Sequence, residues 1–182
     1  MFNRIVAFVA GIGALFAATN PRALQGGDDW TGPTGWAEPE ADEAPRSEAV
    51  DVLARTAWGE ARGDGTTGMH GVCNVVMNCL AYARGRGGYW WGNSVKEICL
   101  KDYQFSAWNA NDPNRGKMQS VTVQDAAFAD AVRLARQAVN GNLPDITNGA
   151  THYHTDAVRP SWSGQGEVAA LVGSHKFYRG IG

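Results

Sequence analysis

Glu60 is the residue of this chain best placed for acid–base chemistry. Val50, Leu53, Ala54, Ala57, Trp58 and Ala61 recur at the spacing of one helical face. With Val50 at zero and ~100° per residue, that stripe runs from about 300° to about 80°, and Glu60 falls near 280° at its edge. A carboxylate half set into an apolar wall has its charged form disfavoured, which raises its pKa toward the range of a general acid. Gly63, Gly65 and Gly68 follow and leave the backbone low enough for something bulky to approach. The competing reading is a solvated boundary glutamate, and spacing alone does not decide. At such a boundary, Glu60→Gln is expected to change stability by no more than about 0.5 kcal/mol.

His152, Tyr153 and His154 form a second group. On a strand, residues i and i+2 share a face, so both imidazoles would emerge together. His175 on a neighbouring strand could join them, with Asp156 or Glu60 as a fourth group, and such a set could bind zinc and activate water. The same histidines could instead pack or hydrogen-bond in a substrate groove. A third group is Trp90, Trp91, Trp108, Asn109 and Trp162. Seven tryptophans exceed what a core of this size requires. Flat rings beside amides suit a carbohydrate, rings against sugar faces and amides on acetamido groups. Each ring could equally belong to the core. Cys73, Cys79 and Cys99 carry no nucleophile signature, and an odd count excludes a disulfide-rich scaffold. In an exported chain the expected pairing is Cys79–Cys99, because Cys73 lies on an apolar stripe and fits burial.

The elements that must position these groups follow from the rest of the sequence. With 44% hydrophobic and 19% charged residues among 182, the chain is neither disordered, collagen-like nor a polytopic membrane protein. A formal charge of −2 offers no basic field for nucleic acid. Arg4 precedes an apolar run, Ile5 to Ala18, that reads as an export signal. The run is shorter than the ~20 residues of a spanning helix. No small-residue cleavage site follows it: cutting after Ala18 puts Phe16 at −3, and cutting after Ala23 puts Pro21 there. Residues 1–25 are therefore expected to be a signal peptide, or an uncleaved anchor holding the chain at the membrane of the periplasm or envelope. Residues 26–46 hold six acids against one base, with Pro33, Pro39 and Pro45, and read as an extended linker.

Residues 47–182 form the presumed domain. Ser47 is expected to cap a first helix that Gly63 ends. Thr66 or Thr67 would cap a second, whose stripe is Met69, Val72, Cys73, Val76 and Leu80. Arg84 to Asn93 reads as a glycine-rich loop carrying Tyr89, Trp90 and Trp91, and Ser94 as the cap of a short helix to Leu100. Gln104 to Gly116 reads as a polar loop, and Asp125 to Val139 as a helix stopped by Asn140-Gly141. Ala150 to Thr155, Val168 to Val172 and His175 to Tyr178 read as strands, the last two joined at Gly173-Ser174. The fold class is α+β, mostly helical with a small C-terminal antiparallel sheet.

Four ordered segments resemble the SleB/CwlJ-type cell wall hydrolases, the spore cortex-lytic enzyme family. They are Leu53 to Gly63 (LARTAWGEARG), Gly71 to Asn78 (GVCNVVMN), Tyr103 to Asn109 (YQFSAWN), and Gly149 to His154 (GATHYH) followed by Pro160, Trp162, Gly173, His175 and Phe177. The resemblance implies a small lysozyme- or lytic-transglycosylase-like domain that cuts peptidoglycan glycan strands without a cofactor. The family's catalytic glutamate falls on Glu60. Protonated, it would donate to the oxygen between N-acetylmuramic acid and N-acetylglucosamine. As carboxylate, it would then take the muramoyl 6-hydroxyl proton during closure to the 1,6-anhydro product. Gln104, Phe105, Trp108, Asn109, His152, Tyr153, His154 and Trp162 are the expected groove residues.

Neither a nucleic acid nor an obligate protein partner is expected. The chain departs from the family in three ways. It shows no peptidoglycan-binding module such as some members carry, Cys79 stands where arginine is common, and the Tyr89–Trp91 loop is longer. Spore germination is not implied, since a bacterial housekeeping or phage lysis enzyme fits equally. A hydrolytic lysozyme with Asp64 or Asp102 as partner, a zinc amidase on the histidines, and a non-catalytic wall-binding module stay open.

Overall fold

The computed structural model describes residues 43–181. The apolar run Ile5–Ala18 and most of the acidic segment lie outside them. Five helices come first: α1 (Glu43–Ala61), α2 (Gly65–Arg84), α3 (Val95–Leu100), α4 (Arg115–Ser120) and α5 (Ala126–Val139). Three strands follow, β1 (His152–Thr155), β2 (Glu167–Val172) and β3 (His175–Arg179), in the spatial order β1-β3-β2. Both pairings are antiparallel, with Tyr153 opposite Phe177 and a register shift in β2 between Val168 and Ala170. The expected α+β arrangement is present. Among the described residues, no helix is long and apolar enough to cross a membrane.

The apolar stripe of α1 lies where its periodicity places it. Leu53, Ala54, Ala57, Trp58 and Ala61 are buried against α2, α3 and α5. Met69, Val72, Cys73, Val76 and Leu80 of α2 complete that interface. Burying a large side chain of this kind contributes about 1.5–3 kcal/mol, so these two stripes carry much of the core.

The helix ends differ in part from expectation. α1 begins at Glu43, so Ser47 lies inside it rather than capping it. It ends at Ala61 in a 3₁₀ turn, Arg62–Asp64, and the left-handed residue is Gly65 (φ 68), not Gly63. α2 then starts directly, without a threonine cap, and Thr66 instead donates to Asp130. Ser94 does cap α3, accepting from Glu97 N, and Asp125 stands just before α5 as its cap, accepting from Phe128 N. Gln104–Gly116 is not only a loop. It holds a 3₁₀ turn, Ser106–Trp108, and runs into α4.

Two amides one turn apart on α2 set where the sheet begins. Asn74 donates to Pro144 O and accepts from Ile146 N, while Asn78 donates to Ala150 O. Gly71 lets the sheet come close, since a Cβ there would lie 2.6 Å from the Phe177 ring. Tyr153 and Phe177, ring centroids 5.5 Å apart, cover the inner face of the sheet. Its outer face is closed by Trp162, Tyr178 and Ile181.

The expected Cys79–Cys99 disulfide is absent. All three thiols are free and fully buried, Cys79 directed at Thr151 O and Cys99 at Thr56. Burial pushes the Cys99 thiol up to about 12 and the other two higher still. Ellman's reagent is therefore expected to find no reactive thiol in the native protein and three after denaturation. Fewer than three in the denatured, unreduced chain would reveal a bridge.

Candidate active site

Glu60 lies one residue before the end of α1, and only 3% of its surface meets solvent. The boundary expectation understates its burial because the Ser106–Trp108 turn folds over it. That approach depends on Gly59, where a Cβ would stand 2.6 Å from Ala107 Cβ and 2.8 Å from Met118 Sδ. Two arginines, Arg55 of α1 and Arg62 of the 3₁₀ turn that follows it, hold the covering segment in place. Arg55 donates to Met118 O and Gln119 O, and Arg62 donates to the Asn114 side chain while lying over the Trp58 ring.

Three donors meet the Glu60 carboxyl. Oε1 accepts from Ala107 N at 2.8 Å and Ser106 Oγ at 3.2 Å, and Oε2 from Tyr153 Oη at 3.1 Å. These bonds favour the carboxylate, but burial outweighs them, and the charge of Asp112 adds to it. The pKa is raised to about 7. The Tyr153 hydroxyl can donate to the carboxylate or accept from the carboxyl, so it can serve both protonation states. At neutral pH both forms are populated, which is what a group acting first as acid and then as base requires.

Asp64 is engaged by the β2–β3 turn. Its Oδ2 accepts from Ser174 N, Ser174 Oγ and His175 Nδ1 at 3.0, 2.8 and 2.7 Å. Hydrogen bonds from Ser174 and the nearby imidazole hold its carboxyl below the usual range despite some burial. Gly173 (φ 58) makes this possible, since a Cβ there would lie 2.7 Å from the Asp64 carboxyl carbon. Asp64 thus clamps the β2–β3 turn to the end of α1. Asp102 is exposed, and no hydrogen bond joins it to Glu60.

The histidines divide between the two faces of the sheet. His152 and His154 do share a face, but Trp162 fills it, 5.1 and 5.7 Å from their rings. His154 Nδ1 donates to Thr155 O, which leaves Nε2 to accept from Tyr178 Oη at 2.9 Å. Burial lowers the His152 pKa to about 4, so it is neutral. His175 lies on the opposite face beside Tyr153, ring centroids 5.2 Å apart. The zinc arrangement is therefore not assembled. Among the described residues no cluster of three His, Cys, Asp or Glu side chains could hold a metal.

Of the other expected groove residues, Phe105, Trp162, His152 and His154 are no more than 4% exposed and are packed among other rings. Phe105 packs near Tyr153 and supports it. Trp91 is also buried, its indole donating to Cys79 O. Trp108 is half-buried and turned inward, donating to Thr56 Oγ1 at 2.9 Å, and Asn109 is half-buried beside it. Gln104 is 1% exposed, and neither end of its amide has a partner. It follows Tyr103, which takes a left-handed conformation (φ 61) and exposes 60% of its surface. Sequence reasoning missed Asp112 and the roles of Ser106 and the Ala107 N–H. The glycine beside Glu60 was the available sign that another segment comes close.

The fold is that of known wall-lytic domains. The chain superposes on the catalytic domain of SleB from Bacillus cereus with a TM-score of 0.53 and 20% identity, over 84% of this chain and 100% of that one. The catalytic domain of the germination-specific lytic transglycosylase SleB from Bacillus anthracis matches equally, TM-score 0.53 and 20% identity over 81% and 99%. No curated protein matches the chain. A family model described as cell wall hydrolase matches residues 63–178, beginning three residues after Glu60 and taking in the Ser106–Trp108 turn and Tyr153. That match spans more than half of the 182 residues, and the chain belongs to the cell wall hydrolase family.

Proposed function

We propose that this chain cuts the glycan strand of peptidoglycan between N-acetylmuramic acid and N-acetylglucosamine, with Glu60 as the one catalytic acid and base. The observation that carries this reading is a buried carboxyl titrating near pH 7 with three donors on its oxygens. Protonated Glu60 gives its proton to the glycosidic oxygen as that bond to the muramoyl C1 breaks. The carboxylate left behind takes the proton of the muramoyl 6-hydroxyl while its oxygen bonds C1, forming the 1,6-anhydro end. The proton count closes without water, and no second carboxylate is needed, unlike the paired acids of common glycosidases. The SleB domain that this fold resembles is itself a lytic transglycosylase. The unpartnered Gln104 amide, at the edge of the covering turn, is suited to an acetamido group.

One observation favours a second reading. The charge of Asp112 reaches Glu60, so a hydrolytic route with Asp112 activating water would use a pair. Mass spectrometry of digested wall separates the two. Anhydro-muramoyl ends are the expected product, and new reducing ends with an inactive Asp112→Asn variant would establish hydrolysis.

The acid role also sets a pH limb. Because Glu60 must start protonated, kcat/KM is expected to fall tenfold per pH unit above about pH 7. A rate that stays level to pH 9 would exclude it as the acid. Lysis is expected to survive overnight chelation, whereas loss restored by zinc would return the amidase reading. The Ile5–Ala18 run is proposed to direct export to the envelope and to hold the chain at the membrane.

A further inference from the structure

Away from Glu60, the 85–94 loop and α3 enclose an open cavity of about 620 Å³, within the range of ligand sites. Tyr89 and Trp90, both half-exposed, line it together with Leu100 and Lys101. The rings are braced from behind: Trp91, buried and bonded to Cys79 O, lies 4.3 Å from Tyr89 and 5.5 Å from Trp90 between centroids.

One side chain closes the loop on itself and another fastens it to α3. Asn93 accepts from Tyr89 N, and Glu97 accepts from Asn93 N at 2.7 Å. Gly92 (φ 121) allows that contact, since a Cβ there would lie 2.5 Å from Glu97 Cβ. The wall is thus built before any ligand arrives, which reduces the ordering cost of binding.

The charges of the cavity say what it takes. Two lysines, Lys96 and Lys101, are matched by Glu97 and Asp102, so the lining is neutral overall. Lys96 is paired with Glu48, and Glu97 is engaged by the loop. A neutral lining with aromatic faces and a few polar ends suits an uncharged sugar better than the carboxylates of a stem peptide.

The cavity is also joined to the acid by a short piece of chain. Asp102 lines it, and Ala107, five residues on, bonds Glu60. Five residues span at most about 18 Å, so the two places lie within the length of a short glycan.

We propose that this cavity is a second glycan-holding site, taking N-acetylhexosamine units of the same strand away from the bond being cut. The proposal rests on the glycosidase reading above. Its test uses the full chain carrying Glu60→Gln and chitotetraose, a linear tetramer of N-acetylglucosamine, followed by titration and by the Trp90 indole N–H resonance. The tetramer is expected to move that resonance. Adding Trp90→Ala should weaken binding about tenfold, as for loss of an aromatic contact, while Trp90→Phe keeps a ring and holds most of the affinity.

An unmoved Trp90 resonance would overturn the site, as would one that responds only to free stem peptide. Equal weakening by Trp90→Phe and Trp90→Ala would also count against stacking. Wall digestion by the wild type, read in parallel, separates the two claims. Digestion with an unmoved Trp90 sinks the cavity alone, and a moved Trp90 without digestion sinks the glycosidase reading alone.

Discussion

Replacing Glu60 by glutamine is expected to abolish wall lysis while making the protein more stable above pH 7. Loss of a general acid costs on the order of 10²–10⁴ in rate, and here the same group is the base, so the upper end or beyond applies. The amide fits the site. Its oxygen can keep the Ala107 and Ser106 bonds, and its NH₂ can face Tyr153 Oη, which is able to accept.

The stability gain follows from linkage. Glu60 titrates near 4.5 unfolded and about 7 folded, so between those values the native state holds a proton that the unfolded state has released. Stability therefore falls as pH rises through that window, by about 3 kcal/mol when complete. Glutamine does not titrate and escapes the loss. Urea unfolding of both proteins at pH 4.5 and pH 8 checks this: the curves should separate in favour of Glu60→Gln only at pH 8. The burial seen in the structure thus replaces the near-zero change that a boundary position implies. A folded variant with a tenth of wild-type activity would remove Glu60 from the mechanism.

Gly59→Ala has the second-largest expected effect, and its sign is opposite to the usual one. In an open helix this change stabilises by roughly 0.5–1 kcal/mol. Here the new Cβ would meet Ala107 Cβ at 2.6 Å and Met118 Sδ at 2.8 Å. Met118 can change rotamer, but Ala107 can yield only by moving its backbone, which carries the N–H bonded to Glu60. Overpacking of this kind costs about 1–3 kcal/mol. A displacement near 1 Å at the acid is expected to lower kcat about 10²-fold. Loss of the Ala107 bond should also move the alkaline limb to higher pH, because that bond lowers the Glu60 pKa. Full activity with a raised melting temperature would show that the covering turn does not rest on Gly59.

What could be read from the sequence was local. The α1 and α2 stripes, the Ser94 cap, and the Asn140-Gly141 stop depend on neighbours within a few turns, and the structure keeps them. Period two correctly put His152 and His154 on one face, but it could not show that Trp162 returns to cover them. α4 went unread because six residues, RGKMQS, contain a single buried side chain, Met118, and no period. Glu60 looked like a boundary residue because its lid is 46 positions away in sequence. Whether Trp91 and Trp162 are core or surface rings is open in the sequence for the same reason: their partners come from other elements.

The bond from Tyr153 to Glu60 crosses 93 residues, and the Asp64 clamp on Ser174 and His175 crosses more than a hundred. Contacts this distant form late, because the loop they close must be ordered before they contribute anything. A ribosome that has finished the five helices has therefore made a chain with Glu60 but without its tyrosine. Only when β1 has emerged and β3 has paired beside it does the carboxyl have all three of its donors. Truncated chains ending before His152 carry Glu60 without Tyr153 or the turn that Asp64 holds, and they are expected to show no wall lysis.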